Sequence, residues 1–174
     1  MSIKQTLHDK ADYVRDIVLS ANDGVVTTFA VVAGSLGASL SPSIVVILGL
    51  ANLFADGLSM STGAYLGVKS EIEYEQNSGE KVKLGNRPLL NGLVSFASFG
   101  IAGFIPLMSY VFKFQNSFAV SAILVAVTLL IIGIFRGIVS NKHILRTSIE
   151  NLLIGGMSAL IAFTVGEFAK RYLI

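Results

Sequence analysis

The chain contains no cysteine, and only 14% of its 174 residues are charged. The first absence excludes a disulfide framework, a thiolate metal site and a cysteine nucleophile, so any metal must rest on oxygen, imidazole or thioether donors. The redox compartment is left open. The second absence excludes a small water-soluble globule: an average soluble domain is about 25% charged, and a globule this size needs polar groups to cover its large surface. The formal net charge is +2, and no basic stripe carries interleaved aromatics, so nothing points to a nucleic-acid partner. With two histidines there is no His-rich metal cluster. No nucleophile stands beside a base and no phosphate-binding loop is present, which argues against an enzyme. The start, MSIKQTLHDKADYVRD, lacks the pattern of a cleavable signal peptide.

What the chain has is hydrophobic length. Hydrophobic residues make up 53% and the mean hydropathy is +0.71. A helix needs about 20 mostly apolar residues to cross a bilayer, and five stretches qualify: 21–40, 43–68, 88–112, 117–138 and 149–172. The expected fold is an all-α integral membrane protein, with residues 21–174 forming a five-helix transmembrane domain in the lipid bilayer. Ser41 and Pro42 break the first pair of spans, Pro88 suits the first turn of the third, and the polar Lys113 to Asn116 segment parts the third from the fourth. Short connections make neighbouring helices antiparallel.

Ahead of the first span, Ile3, Leu7, Ala11, Val14 and Val18 recur at helical spacing, opposite Lys4, Gln5, Asp9, Asp12 and Asp16. Residues 1–20 read as an amphipathic helix lying along the membrane interface, with a soluble tail of incidental periodicity as the alternative. If the N-terminus is cytoplasmic, ten of the thirteen Lys and Arg residues fall on the cytoplasmic side and only Lys113, Lys170 and Arg171 fall outside. That asymmetry favours an N-terminus inside and a C-terminus outside. His8 and His143 read as solvated interfacial residues.

The glycines concentrate in the spans. Gly63 with Gly67 and Gly133 with Gly137 have the GxxxG spacing that lets membrane helices approach closely. Packing within the chain is the first reading of both pairs, and a seam between two copies is the second. Five helices are few to enclose a solute path, so self-association is plausible.

A carboxylate at the centre of a membrane helix costs about 2.5 to 3.5 kcal/mol, which makes an intramembrane acid a candidate functional group. Asp56 lies at the midpoint of the second span. Asn52, Asp56 and Met60 follow one another at four-residue steps, placing an amide, a carboxylate and a thioether on one helix face. Asp23 stands at the start of the first span, as a second carboxylate or as that helix's N-cap. Met60 could equally be core filler, and Asn52 an interhelical hydrogen-bond partner. Glu167, near the outer end of the last span, reads as a surface ion-pair partner of Lys170 and Arg171. Hard carboxylate oxygens beside one soft sulfur suit a borderline divalent cation such as Fe²⁺ or Mn²⁺ better than Ca²⁺ or Mg²⁺. The same carboxylates could take up protons, and protonation would release the metal.

The segments DGVVTTFAVVAG and ANLFADGLSMSTGAYLGVKSE resemble the first two transmembrane helices of the vacuolar iron transporter family, and a looser similarity covers the remaining spans. The resemblance implies five transmembrane helices per subunit, a homodimer with a metal path between subunits, and export of Fe²⁺ or Mn²⁺ from the cytoplasm in exchange for protons. It implies metal-path roles for Asp23 and Met60, which match the family's first-helix aspartate and second-helix methionine at the same separation of 37 residues. Two departures stand out. Asn52 occupies the position where better-known iron importers have a glutamate, and the resemblance leaves Asp56, one turn on, as the candidate to supply the missing charge. The long glutamate-rich domain between the second and third helices is missing, as in nodulin-like and short prokaryotic members. In the short connection, Glu71 and Glu75 could still gather cations at the cytoplasmic side, or form a solvated helix end.

The sequence therefore suggests Fe²⁺ or Mn²⁺ transport out of the cytoplasm by proton antiport. Asp23, Asp56, Met60 and Asn52 are the candidate ligands, and no resident cofactor is expected. A plasma membrane is expected in a prokaryote, and a vacuolar or other endomembrane in a eukaryote. The alternatives are a non-transporting membrane scaffold or accessory subunit, and a divalent-cation uniporter without proton coupling.

Overall fold

The computed structural model describes residues 3–78 and 87–172, together with the side chains of 13–78 and 87–172. They form five helices: α1 (Ile3–Gly37), α2 (Pro42–Asn77), α3 (Pro88–Val111), α4 (Ser117–Val139) and α5 (Ile144–Tyr172). Each contains a segment long and apolar enough to cross a membrane; in α1 that segment is Tyr13–Gly37. The chain is thus an all-helical, multi-pass membrane protein.

Local chemistry sets the helix ends. Pro42 and Pro88 open α2 and α3 behind extended Ser41 and Arg87, positions where a missing N–H costs nothing. The Asn116 side chain accepts from the Ala119 N–H and caps α4. Helices α1, α3 and α4 stop in the same way. Ser39, Lys113 and Asn141 take left-handed backbone conformations, and the next residue's N–H donates to a carbonyl five residues back: Leu40 to Ser35, Phe114 to Ser109 and Lys142 to Gly137. This is the Schellman stop, and it reverses the chain within a few residues.

No break separates residues 3–20 from the first span. The helical spacing noted there continues without a glycine or proline into the apolar run, so α1 is one 35-residue helix. The amphipathic side chains at 3–11 and His8 lie outside the described side chains. Likewise, α2 runs past residue 68 to Asn77 and α5 begins at Ile144 rather than 149.

Helices α1 and α3 form the centre. Helix α1 touches all four others, α3 touches α1, α2 and α4, and among the described residues α2 and α5 do not meet. The core holds Val25, Phe29, Val32, Phe99, Leu107, Val125 and Leu129. It also holds Ser20, Thr28, Asn91, Ser95, Ser121, Thr147 and Asn151, while Ile101 and Leu145 are 73% and 74% exposed. Polar residues inside and large apolar ones outside are what a lipid environment selects, because tails gain nothing from hiding leucine. Hydroxyls join helices through backbone carbonyls: Ser121 donates to Pro106 at 2.7 Å and Thr147 to Gly133 at 2.8 Å.

Close backbone approach fixes α1 on α3. A Cβ on Gly24 would collide with the Phe99 carbonyl, and one on Gly103 would sit 2.8 Å from the Gly24 carbonyl oxygen. The residue after Asp23 is therefore locked against α3, which sets the direction in which Asp23 points.

Candidate metal site

The α1–α2 register is fixed by Asn52, whose amide donates to the Thr27 hydroxyl at 3.5 Å, while Thr27 donates at 2.9 Å to the Asp23 carbonyl. The two helices run antiparallel. One turn from this contact on each lie Asp23 and Asp56, both half-buried, and their carboxylates repel each other. Neither side chain makes a hydrogen bond or ion pair among the described residues. Asp23 lies twenty residues into α1 and near the middle of the Tyr13–Gly37 span. It is not an N-cap, and it is not at the cytoplasmic threshold: the continuous helix upstream carries it down to the level of Asp56.

Met60 is one turn along α2 from Asp56, about 6 Å further along the axis. It is half-buried, packs partly on the core and lines a groove of about 500 Å³ between α1, α2 and α3. Ser20, Ser59, Ser95, Gly63, Gly67 and Glu71 also line the groove, and the two aspartates lie one turn beyond its inner end. The Ser20 hydroxyl is buried without a partner. Asn52, Asp56 and Met60 thus share the face toward α1, as their spacing suggests.

Three further acids behave differently from expectation. Asp16, placed by periodicity on the polar side of an interfacial helix, is 6% exposed and lines the same groove. Its two oxygens accept from Arg15 at 3.1 and 3.2 Å and from Asn91 at 2.8 Å. Its partner is 75 residues away, and nothing local in the sequence marks the pairing. Glu75 is 8% exposed, so the solvated-end reading does not apply to it, whereas Glu71 faces the groove. Glu167 forms no ion pair among the described residues; Lys170 instead donates to Ser39 at 2.8 Å. His143 is exposed at the α4–α5 turn, as expected.

Among the described residues, no three His, Cys, Asp or Glu side chains converge as a metal-holding group. The α1–α2 constellation offers two carboxylates, an amide and a thioether. Two negative charges near the centre of a membrane-spanning pair, without a fixed cation, can attract a divalent cation or protons.

A sequence model of the VIT family matches residues 14–85 and 78–167, two matches that meet at the α2–α3 connection. The chain is 31% identical over 166 residues to vacuolar iron transporter homolog 1 of Arabidopsis thaliana, covering 90% of this chain and 82% of the relative. It is 24% identical over 226 residues to the vacuolar iron transporter of Plasmodium berghei, covering 91% and 83%, respectively. It is also 24% identical over 214 residues to vacuolar iron transporter 1 of Oryza sativa subsp. japonica, covering 90% and 85%. The Plasmodium alignment spans 226 positions against 91% of this chain's 174 residues, so that relative carries residues this chain lacks, whereas the Arabidopsis alignment spans 166 positions against 90%. Matched along nearly its whole length, the chain belongs to the VIT family.

Proposed function

We propose that this protein moves Fe²⁺ or Mn²⁺ across the membrane, out of the cytoplasm, in exchange for protons. The observation that carries the reading is the Asp23–Asp56 pair: two carboxylates that repel each other between membrane-spanning helices, with no ion-pair partner among the described residues. A divalent cation relieves that repulsion in one step and two protons relieve it in another, so the pair can exchange one for the other. Met60 supplies the soft sulfur that favours Fe²⁺ or Mn²⁺ over Ca²⁺ or Mg²⁺, and Asn52 supplies an amide oxygen once its contact with Thr27 yields. The relatives' names support iron as cargo. Family membership supports a transporter rather than an enzyme.

The groove from Asp16 and Glu71 to Met60 is the approach. The N-terminus is cytoplasmic on the distribution of Lys and Arg, so the groove opens on that side. One chain supplies too few donors for a full shell, and the groove wall at Gly63 and Gly67 is open. A second copy apposed on this face would double the donor set, which favours a homodimer with the path between subunits.

The test is flux into liposomes containing only this protein, with Fe²⁺ or Mn²⁺ competing against Ca²⁺ and Zn²⁺, for the parent and for Asp23→Ala, Asp56→Ala and Met60→Leu. Metal uptake with counter-movement of protons, abolished in both aspartate variants, is expected. Uptake without proton movement would leave a uniporter. No uptake by correctly folded parent protein would leave the scaffold reading.

A further inference from the structure

A second cleft, of about 530 Å³, opens between α1, α4 and α5, beside the metal groove, with which it shares Arg15 and Leu19 of α1. Two of its polar groups are unusual. Asn151 is 4% exposed; its oxygen accepts from Arg136 at 3.1 Å, but its buried N–H₂ group has no partner. The buried side-chain oxygen of Asn22 has none either. A buried amide donor without an acceptor costs about 1–3 kcal/mol, and an occupant carrying an acceptor would remove that cost.

The charge at this end fits an anion. Arg15 and Arg136 line the cleft, with Lys142 on the α4–α5 turn and Arg146 in the first turn of α5 nearby. The carboxylates facing these cations are Asp16, held by Arg15, and Glu150, held by Arg136 at 3.6 Å and Arg146 at 3.1 Å. Among the described residues that line the cleft itself, Arg15 and Arg136 are cations and none is a carboxylate. The remaining walls are apolar: Val14, Val18, Val139 and Ile154. Val14 is at the start of the first membrane-spanning segment and Val139 at the end of the fourth, so the cleft sits where headgroups meet acyl chains.

We propose that this cleft seats an anionic phospholipid of the adjacent leaflet. Its phosphate accepts from the Asn151 amide and the Arg136 and Arg15 guanidiniums. A headgroup hydroxyl donates to Asn22, and the acyl chains lie on the valine and isoleucine walls. Basic pockets between membrane helices recognise such headgroups by these means. Arg15 lines both this cleft and the metal groove, so the lipid phosphate competes with Asp16 for its guanidinium.

The chain has no tryptophan, and Ser140, exposed on the cleft rim, can be replaced to give a single fluorescent reporter. Ser140→Trp protein is reconstituted in phosphatidylcholine vesicles in which a fixed fraction of lipid is dibrominated phosphatidylglycerol or dibrominated phosphatidylcholine. The phosphatidylglycerol should quench more strongly, and adding Arg136→Gln should lower that preference by about five-fold. Quenching by brominated phosphatidylcholine should stay unchanged, which reports intact insertion and folding. Asn151→Asp provides the second arm. It keeps the oxygen facing Arg136, replaces the N–H donor with negative charge, and should likewise abolish the preference. Equal quenching by both lipids in the parent, or a preference that survives in both inserted variants, overturns the proposal. Loss of the preference in inorganic phosphate, but not in chloride of equal ionic strength, would assign the site to a soluble anion and overturn it as well.

Discussion

The two ends of the α1–α2 face treat their acids in opposite ways. At the groove mouth, both oxygens of Asp16 are taken, by Arg15 and by the buried amide of Asn91. Two turns further along α1, Asp23 lies near Asp56, and among the described residues neither side chain has a hydrogen-bond donor. On α5, Glu150 repeats the satisfied pattern between Arg136 and Arg146. Among the described residues, the fold thus satisfies the deeply buried Asp16 with protein donors and leaves the half-buried Asp23 and Asp56 without any. Such an unpaired pair is a cost to stability that an arriving cation removes. The contrast separates an acid satisfied by protein donors from the open pair proposed above to take the cation.

The sharpest way to break the contrast is to neutralise one member of the open pair. Asp56→Asn should reduce metal transport more than the about 10–100-fold loss seen when groups merely behind a metal ligand are changed. It should not lower the stability of the metal-free protein, because it removes repulsion and no hydrogen bond. Mn²⁺ at about one hundred times its dissociation constant should stabilise the parent by about 2.7 kcal/mol and should stabilise the variant little. Thermal unfolding in detergent with and without Mn²⁺ measures both. A variant that keeps the full metal-dependent shift would mean that Asp56 is not a ligand.

Asp16 should give the opposite result. Asp16→Leu strands the Asn91 amide in the core and should cost about 1–3 kcal/mol, read in the same melts without metal. The sequence could not have shown this. Its hydrophobic runs made the five spans and the shared face of Asn52, Asp56 and Met60 legible, because both follow from local periodicity. Asp16 was hidden by the same reasoning: periodicity alone places it opposite the apolar stripe, and the partner that buries it comes from α3. Asp23 was legible as a candidate but not at its depth, since an Asn-Asp-Gly step resembles a helix start when the helix upstream is read as separate. Glu167 shows the reverse error, because the neighbouring cations suggested a local pair while Lys170 reaches the far end of α1 instead.

The smallest expected effect concerns the glycines, where one motif has two fates. Gly133 and Gly137 are covered by α5: a Cβ on Gly137 would lie 2.7 Å from the Thr147 hydroxyl and 2.9 Å from the Ile144 Cα. Gly63 and Gly67 have nothing within 4 Å of theirs. Gly137→Ala should therefore destabilise the subunit by about 1–3 kcal/mol through overpacking. Within one subunit, Gly67→Ala should instead stabilise by about 0.5–1 kcal/mol, since alanine loses less backbone freedom in a helix. The sign should change once two copies meet, because a methyl group on an apposed face holds the backbones apart. Sedimentation across a range of protein concentrations, in detergent, separates the two contributions. A Gly67→Ala protein that is more stable as a monomer and weaker in association would place the seam on this face, whereas unchanged association would move the seam elsewhere and leave the groove wall open to lipid.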